Sequence, residues 1–511
     1  MSDAVVPDLI ERMLEAGFYP HGVREPVELI QTHVSYVLLT GEFAYKVKKS
    51  VNFGFLDYST LEKREHFCRQ ELEMNKRGAP ELYLEVLPIS QDNGKFVLGG
   101  SGEAVEYVLK MRQFPQDVLL SEMFEHGRLT EAQMEELGRV VALYHANAQS
   151  SDLIRSFGEV AQVRQAIDEN YEQTTKYIGG PQSQAQYDET KHYTDSFFDE
   201  RSQLFSSRIQ NNFIRECHGD LHLRNICLWQ DKILLFDCIE FNEPFRFVDV
   251  MYDVAFTVMD LQARQCPEFG NAFLNTYVEQ TGDWEGLQVL PLYLSRQAYV
   301  RAKVTSFLLD DPGVPAQVKE EAKATAADYY KLAWEYTKPH QGRLILMSGL
   351  SGSGKSTTAK HLARKLDAIV IRSDAVRKHL GGIALSERGG DELYTPEMTQ
   401  KTYDRLLQLG VMLASQGFTV ILDAKYDRTD LRMNAIDMAD FQQIPLQIIH
   451  CNAPIEVLKE RLQQRRGDIA DATADLLESQ IAASDAFTPA EQPYVRSLDT
   501  SQPIAAQLTK I

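Results

Sequence analysis

The feature that most constrains this chain is the octapeptide Gly349-Leu350-Ser351-Gly352-Ser353-Gly354-Lys355-Ser356, which fits G-x-x-x-x-G-K-[ST]. An apolar run, Leu344 to Met347, precedes it, and a helical pattern begins near Lys355. A strand, a glycine-rich loop and a helix N-terminus in that order make an anion site. The glycines let successive backbone N–H groups turn inward, and the helix adds its positive end. Gly349, Leu350, Ser351, Gly352, Ser353, Gly354, Lys355, Ser356 and Thr357 are therefore the expected nucleotide-binding set. Lys355 is set to reach the β/γ-phosphates and the Ser356 hydroxyl to ligate Mg²⁺. Further apolar runs at Ala368 to Ile371, Phe418 to Leu422 and Leu446 to Ile449 alternate with helical stretches. That alternation predicts an α/β domain with a parallel sheet covered on both faces.

Three more groups in this stretch bear chemistry. Ile371-Arg372-Ser373-Asp374-Ala375-Val376-Arg377 follows the second strand, where open α/β sheets place ligand-binding residues. An acid there orients or deprotonates an acceptor hydroxyl, and an arginine one turn later holds an anionic substrate group; the plainer alternative is a helix cap by Asp374 and a solvated Arg377. The third strand ends in Asp423, a metal-holding acid, and Arg432 follows on the next helix. Arg461 and Arg465, beside Arg466, fit a lid helix that neutralises a transferring phosphoryl group or, equally, a solvated basic face. Over roughly 342–511 these residues resemble the small P-loop kinases, such as gluconate kinase, adenylylsulfate kinase and the polynucleotide 5′-kinases. The resemblance implies Asp374 as acceptor-side base and Arg377 as a substrate contact.

Upstream, His218-Gly219-Asp220-Leu221-His222-Leu223-Arg224-Asn225 is followed by a short strand ending in Asp237, 12 residues after Asn225. This is an H-x-D-x-x-x-x-N loop with a metal acid on the adjoining hairpin. Asp220 would accept a hydroxyl proton while Asn225 and Asp237 hold Mg²⁺. With Gly after the first His and a second His at 222, the motif resembles the aminoglycoside phosphotransferase and choline kinase group. The helix bearing Asp249 and Asp253 and the Leu143-Tyr144-His145 triplet resemble that group too. The resemblance implies an N-terminal α+β bilobed kinase-like fold of the aminoglycoside phosphotransferase type. It also implies a lysine on an N-lobe strand paired with a helix glutamate. Ala44-Tyr45-Lys46 matches A-x-K, with Lys48 on the same face as the competitor; Glu71 is the partner, with Glu65 competing. Glu106 to Pro115 fits an interlobe hinge. No G-x-G-x-x-G precedes Lys46, only Thr32-His33-Val34-Ser35. Arg301 and Lys303 form a basic pair on a later helix, read either as solvated or as a contact to a substrate phosphate.

The two motifs divide 511 residues into an N-terminal kinase-like domain over 1–338 and a P-loop kinase-like domain over 339–511. Residues from about 27 to 110 are strand-rich with one strong helix, opened by a Ser59/Glu62 capping box. Residues from about 115 to 335 are mainly helical, including a helix over 131–149 with Met134, Leu137, Val141 and Tyr144 on its core face. Six scattered cysteines without C-x-x-C spacing point to buried reduced thiols. No apolar stretch spans a bilayer and the N-terminus lacks a secretory pattern, so a cytoplasmic protein with no membrane partner is expected. The balance of 53 basic against 73 acidic residues, a net charge of −20, argues against coating nucleic acid; only a nucleic-acid end at the C-terminal domain stays open. End to end, the chain resembles the bacterial proteins that fuse an aminoglycoside phosphotransferase-like kinase to a P-loop kinase. That resemblance implies an ATP- and Mg²⁺-dependent phosphotransferase with two nucleotide sites acting on hydroxyl groups of small molecules. The alternatives are a nucleotide-sensing regulator and a genuine aminoglycoside O-phosphotransferase.

Overall fold

In the computed structural model, which describes residues 7–54, 56–464, 469–471, 473–504 and 507, the backbone clusters into two compact units. The first comprises Met1–Thr130, Leu143–Asp260 and Leu292–Thr337; the second comprises Glu131–Ala142, Leu261–Pro291 and Lys338–Ile511. The second unit thus draws two earlier stretches of chain to the C-terminal region.

The first unit opens with six strands: β1 (Glu28–Gln31), β2 (Ser35–Leu39), β3 (Phe43–Lys48), β4 (Tyr83–Asp92), β5 (Lys95–Leu98) and β6 (Ala104–Arg112). They form one antiparallel sheet in the order β1-β2-β3-β6-β4-β5. Strand alternation divides β3 between two surroundings. Tyr45 and Val47 join a core with Ile10, Leu38, Ile89 and Val108, whereas Ala44, Lys46 and Lys48 point into a cleft. The helix Leu61–Lys76 starts one residue later than the expected capping box. Its cap is Thr60, whose hydroxyl accepts from the Lys63 amide at 3.3 Å, because the Ser59 hydroxyl is drawn away to Asp57 at 2.6 Å. Beyond the sheet lie β7 (Ile214–Glu216), the hairpin β8 (Ile226–Trp229) and β9 (Lys232–Leu235), and β10 (Phe247–Asp249), which pairs antiparallel with β7. The helix read over 131–149 runs Glu131–Asn147; its buried Met134, Leu137 and Val141 lie in the stretch Glu131–Ala142 that belongs to the second unit.

The second unit contains a five-stranded parallel sheet: β11 (Arg343–Ser348), β12 (Ile369–Arg372), β13 (Thr419–Asp423), β14 (Leu446–Asn452) and β15 (Val495–Asp499), in the order β12-β13-β11-β14-β15. Central β11 is apolar without alternation because both faces are covered: Leu344, Ile345, Leu346 and Met347 are all buried. Around it Ala359, Leu362, Ile421 and Ile449 complete the core. This is the parallel α/β domain that the apolar runs predicted, with one strand more. β15 escapes the pattern because it lies at the sheet edge, where only Leu498 of its five residues is buried. All six cysteines are free and buried. Among the described residues no helix is long and apolar enough to cross a membrane.

Candidate active sites

In the second unit the loop between β11 and the helix Lys355–Leu366 curls tightly. Gly349 has φ +132°, and a side chain there would run into the Cys451 carbonyl oxygen; only glycine lets the loop lie this close to β14. The Lys355 ammonium donates to the Leu350 carbonyl at 2.9 Å. Burial pushes its pKa down, against the pull of Asp423, Cys451 and Asp374. Asp423, buried at the end of β13, and Asp374 are thus the carboxylates whose charge the loop lysine feels. Ser353 Oγ is buried with no hydrogen-bond partner, whereas Ser356 is half-buried and Thr357 exposed. Beside the loop lies a cavity of about 220 Å³ lined by Gly349, Leu350, Ser353, His450, Asn452 and Phe487 among others.

Asp374 sits in the first turn of the helix Ser373–Gly381 but does not cap it: Arg372 holds the cap position, without a side-chain cap bond. Arg377 is buried rather than solvated. Its guanidinium donates to the Leu393 carbonyl at 2.7 Å and to Thr399 at 3.3 Å, and lies 5.1 Å from the Tyr394 ring centre. Arg461 turns back onto the loop, donating to the Gly352 carbonyl at 3.3 Å and to the Thr500 hydroxyl and carbonyl at 3.0 and 2.6 Å. Arg465 lies outside the described residues. Arg432 is fully buried against Glu491 at 2.6 Å and the Tyr426 carbonyl, and it lines the same cavity as the loop residues Gly349, Leu350 and Ser353.

In the first unit, the open alternatives resolve into one network. Lys46 contacts Glu71 at 2.7 Å and Asp237 at 3.1 Å. Lys48 contacts the other oxygen of Glu71 at 2.6 Å and also Glu240 at 2.6 Å, with the Tyr58 hydroxyl donating to Glu240 at 2.7 Å. Glu71 therefore bridges both lysines, while Glu65 turns outward to Arg69. Burial opposes both lysine charges, yet the adjacent carboxylates hold the two pKa values well above the ordinary lysine value. Burial would raise the Glu71 carboxyl; the two ammonium groups hold it well below the ordinary value. Lys46 faces Asp237, and Lys48 is the more deeply buried of the two.

The loop carrying Asp220 is pinned by one helix, Val250–Ala263. Asp253 accepts from the amides of His218 and Gly219 at 2.7 and 2.8 Å and from the His145 ring at 3.1 Å. Thr257 donates to the Leu221 carbonyl at 2.7 Å, and Asp260 accepts from the Leu223 amide at 3.0 Å. His145, Cys217 and Asp253 also lie close enough together to share an ion, but both Asp253 oxygens are already committed to the loop. The Asn225 amide donates to the carbonyl and carboxylate of Asp220, both at 3.0 Å, and His222 Nε2 is 3.4 Å from the same carboxylate. Burial disfavours the Asp220 charge, but His222, His218 and Arg301 together more than offset it, leaving the pKa lowered. Asp220, Asp237 and Lys46 line one cleft of about 980 Å³.

Sequence reading missed Lys48–Glu240 as a second ionic layer and Thr257 and Asp260 as anchors of the loop. Spacing offered a signal for the anchors: residues 253, 257 and 260 follow i, i+4, i+7 and share a helix face. Nothing in the sequence announces that residue 48 meets residue 240.

The glycine loop, its lysine and the strand-end acids on a parallel sheet define a P-loop nucleotide-binding domain of the kinase class, and the chain is a phosphotransferase. The AAA domain model matches residues 344–487, and adenylyl-sulfate kinase of Paraburkholderia xenovorans is 28% identical over 172 residues, covering 31% of this chain and 90% of that one. Over nearly the whole length, 481 residues, the chain is 31% identical to the uncharacterized protein Rv2004c of Mycobacterium tuberculosis, with 93% of each covered; it belongs to the family of that protein. A choline/ethanolamine kinase family protein from Mesorhizobium loti aligns with 64% of this chain and 98% of its own at 11% identity and a TM-score of 0.39.

Proposed function

We propose that the chain carries two phosphotransfer sites, one in each unit, that move the γ-phosphoryl group of ATP to hydroxyl groups of small molecules. The observation that carries this reading is the first-unit cleft, where Lys46, Glu71 and Asp237 form one ionic chain and Asp220 stands on the same cleft beside Asn225.

In that unit Lys46, steadied by Glu71, neutralises phosphate oxygens, and Asp220 takes the hydroxyl proton. Asn225 and Asp237 are hard oxygen donors of the kind that suits Mg²⁺, and Asp237 is half exposed to receive it. In the second unit the loop amides and Lys355 hold phosphates, and Ser353 Oγ, buried without a partner, fits an anion acceptor. Ser356 and Asp423 would hold the metal, Asp374 would take the acceptor proton, and Arg377 would steady the acceptor. When bound, Mg²⁺ supplies neutralisation of the charge on the phosphate oxygens.

The test is incubation of the full chain with labelled ATP and a pool of hydroxyl-bearing metabolites, comparing Asp220→Asn and Lys355→Ala. Each substitution should remove its own labelled product and spare the other. Nucleotide binding without any acceptor-dependent product would show a regulator in place of an enzyme.

A further inference from the structure

The first-unit cleft is much larger than its ionic chain requires, and its far wall has a charge of its own. That wall is the helix Leu290–Asp310, which brings Arg296, Arg301 and Lys303 to the same cleft as Asp220. Arg296 is only 7% exposed, and its Nε is buried with no hydrogen-bond partner. Its guanidinium lies over the Tyr252 ring, 4.6 Å from the centre, and among the described residues no carboxylate pairs with it.

Arg301 likewise has no ion-pair partner among the described residues, and its ring neighbour Tyr329 is 5.8 Å away. Its charge reaches Asp220. Lys303 donates to two neutral groups, Asn170 Oδ1 at 2.6 Å and Gln173 Oε1 at 3.0 Å. Burial and then Arg296 push its pKa down, with Glu169 pulling the other way.

Other buried cations of this unit are treated differently. Lys48 meets Glu71 and Glu240, Arg208 meets Asp249 at 2.6 Å, and Arg246 meets Glu216 at 3.1 Å. A buried charge without a counter-charge costs free energy that the fold must recover elsewhere or a ligand must offset. The three cations are met by Glu169 and, through Arg301, by Asp220, whereas the cleft's other acids, Asp237 and Glu240, are paired with Lys46 and Lys48; the cations of this wall therefore outnumber the carboxylates available to them, which suits an anionic ligand. A cationic acceptor would meet like charge there.

We infer that the acceptor of this unit is a small hydroxylated oxyanion, a phosphate ester or a carboxylate, held by Arg296, Arg301 and Lys303 with its hydroxyl toward Asp220. This rests on the phosphotransfer reading of the same cleft. In the reaction the acceptor oxygen forms a bond to the γ-phosphorus, and the bond from that phosphorus to the β,γ-bridging oxygen breaks. ADP leaves with the electron pair, and the hydroxyl proton passes to the Asp220 carboxylate. The anionic end also draws the acceptor into place without a contribution from the transferring group.

The test uses the full chain carrying Lys355→Ala, which silences the second unit's loop, with ATP and three acceptor panels. These are sugar phosphates such as ribose 5-phosphate, sugar acids such as gluconate, and the cations kanamycin and choline. Product from either anionic panel, abolished by Asp220→Asn, supports the inference, and the panel that works separates phosphate from carboxylate. Arg301→Gln, on a partly exposed side chain, should raise the acceptor KM at least tenfold with the KM for ATP unchanged. Arg301→Glu should raise it further. Arg296→Gln tests the buried position, with its melting temperature measured alongside to separate lost binding from lost fold. Turnover confined to the cationic panel, or an anionic acceptor whose KM ignores Arg301, overturns the inference while leaving the phosphotransfer reading intact. If no panel yields product although ATP binds and Asp220→Asn changes nothing, the phosphotransfer reading itself falls, and the inference with it.

Discussion

Lys46 and Lys48 stand two residues apart on one strand face and both touch Glu71, yet replacing each by methionine should have opposite consequences. Lys48 is 1% exposed, and its removal strips the cation from between Glu71, also 1% exposed, and Glu240 at 7%. Breaking a buried pair by deleting one partner costs about 3–5 kcal/mol. In a unit of this size each kcal/mol moves the melting temperature by roughly 2 °C, so Lys48→Met should melt roughly 6–10 °C below wild type. Lys46→Met leaves Glu71 paired with Lys48 and removes a cation that is 17% exposed and faces Asp237. Its stability should change little, while first-unit turnover falls about 10²–10³-fold, the usual effect of losing one charge-stabilising donor. The assay is calorimetry of both variants beside acceptor-dependent ADP release. Adding Glu240→Gln to Lys48→Met should recover part of the lost stability, because the second uncompensated carboxylate is then gone. Equal melting temperatures for the two variants, or an inactive Lys48→Met with wild-type stability, would refute the division into an inner structural and an outer functional lysine.

Three further outcomes follow from the same geometry. Asp253 is held below the ordinary aspartate value of 3.8: burial raises it, but His145, His218 and the loop amides more than offset this. A depressed carboxyl contributes stability above its unfolded value that is lost as pH falls through the folded one. Asp253→Asn should therefore cost about 2–4 kcal/mol at neutral pH, with the gap to wild type closing below pH about 4 in acid-melting curves. Glu491→Gln strands the buried Arg432 and should destabilise the second unit by about 3–5 kcal/mol in urea melts, without changing first-unit KM values. Arg461→Ala releases the Gly352 carbonyl from Thr500 and should weaken nucleotide binding at the second unit about tenfold by titration calorimetry, as expected for lost charge-assisted hydrogen bonds; unaltered binding would leave Arg461 with no role at the loop.

Most of what could be read in advance is local along the chain. The residues of a glycine-rich anion loop must be contiguous because one backbone turn supplies the amides, so residues 349–357 announce themselves. The same holds for Asp220, Asn225 and Asp237, whose spacing reflects one loop and one hairpin. The parallel sheet of the second unit was legible because strands buried on both faces are unbroken apolar runs, and edge strand β15 was missed because it is not one. The shifted helix cap at Thr60 shows the limit even at short range, since a competing acid at 57 captured the Ser59 hydroxyl.

Charge pairing across the fold was not legible beyond the Lys46–Glu71 pair that the family resemblance implied. Whether Lys48 serves as a ligand contact or as a buried strut depends on Glu240, 192 residues away in sequence. Arg377 and Arg461 looked alike as basic residues on helices, but burial ties one to Leu393 and the other to Thr500. Arg296 attracted no attention in the sequence, because an arginine is conspicuous only when folding takes it out of water and provides no carboxylate. Backbone chemistry that needs contiguous residues was therefore written in the order of the chain. The fate of each long charged side chain was decided only where distant segments met and set its dielectric and its partner.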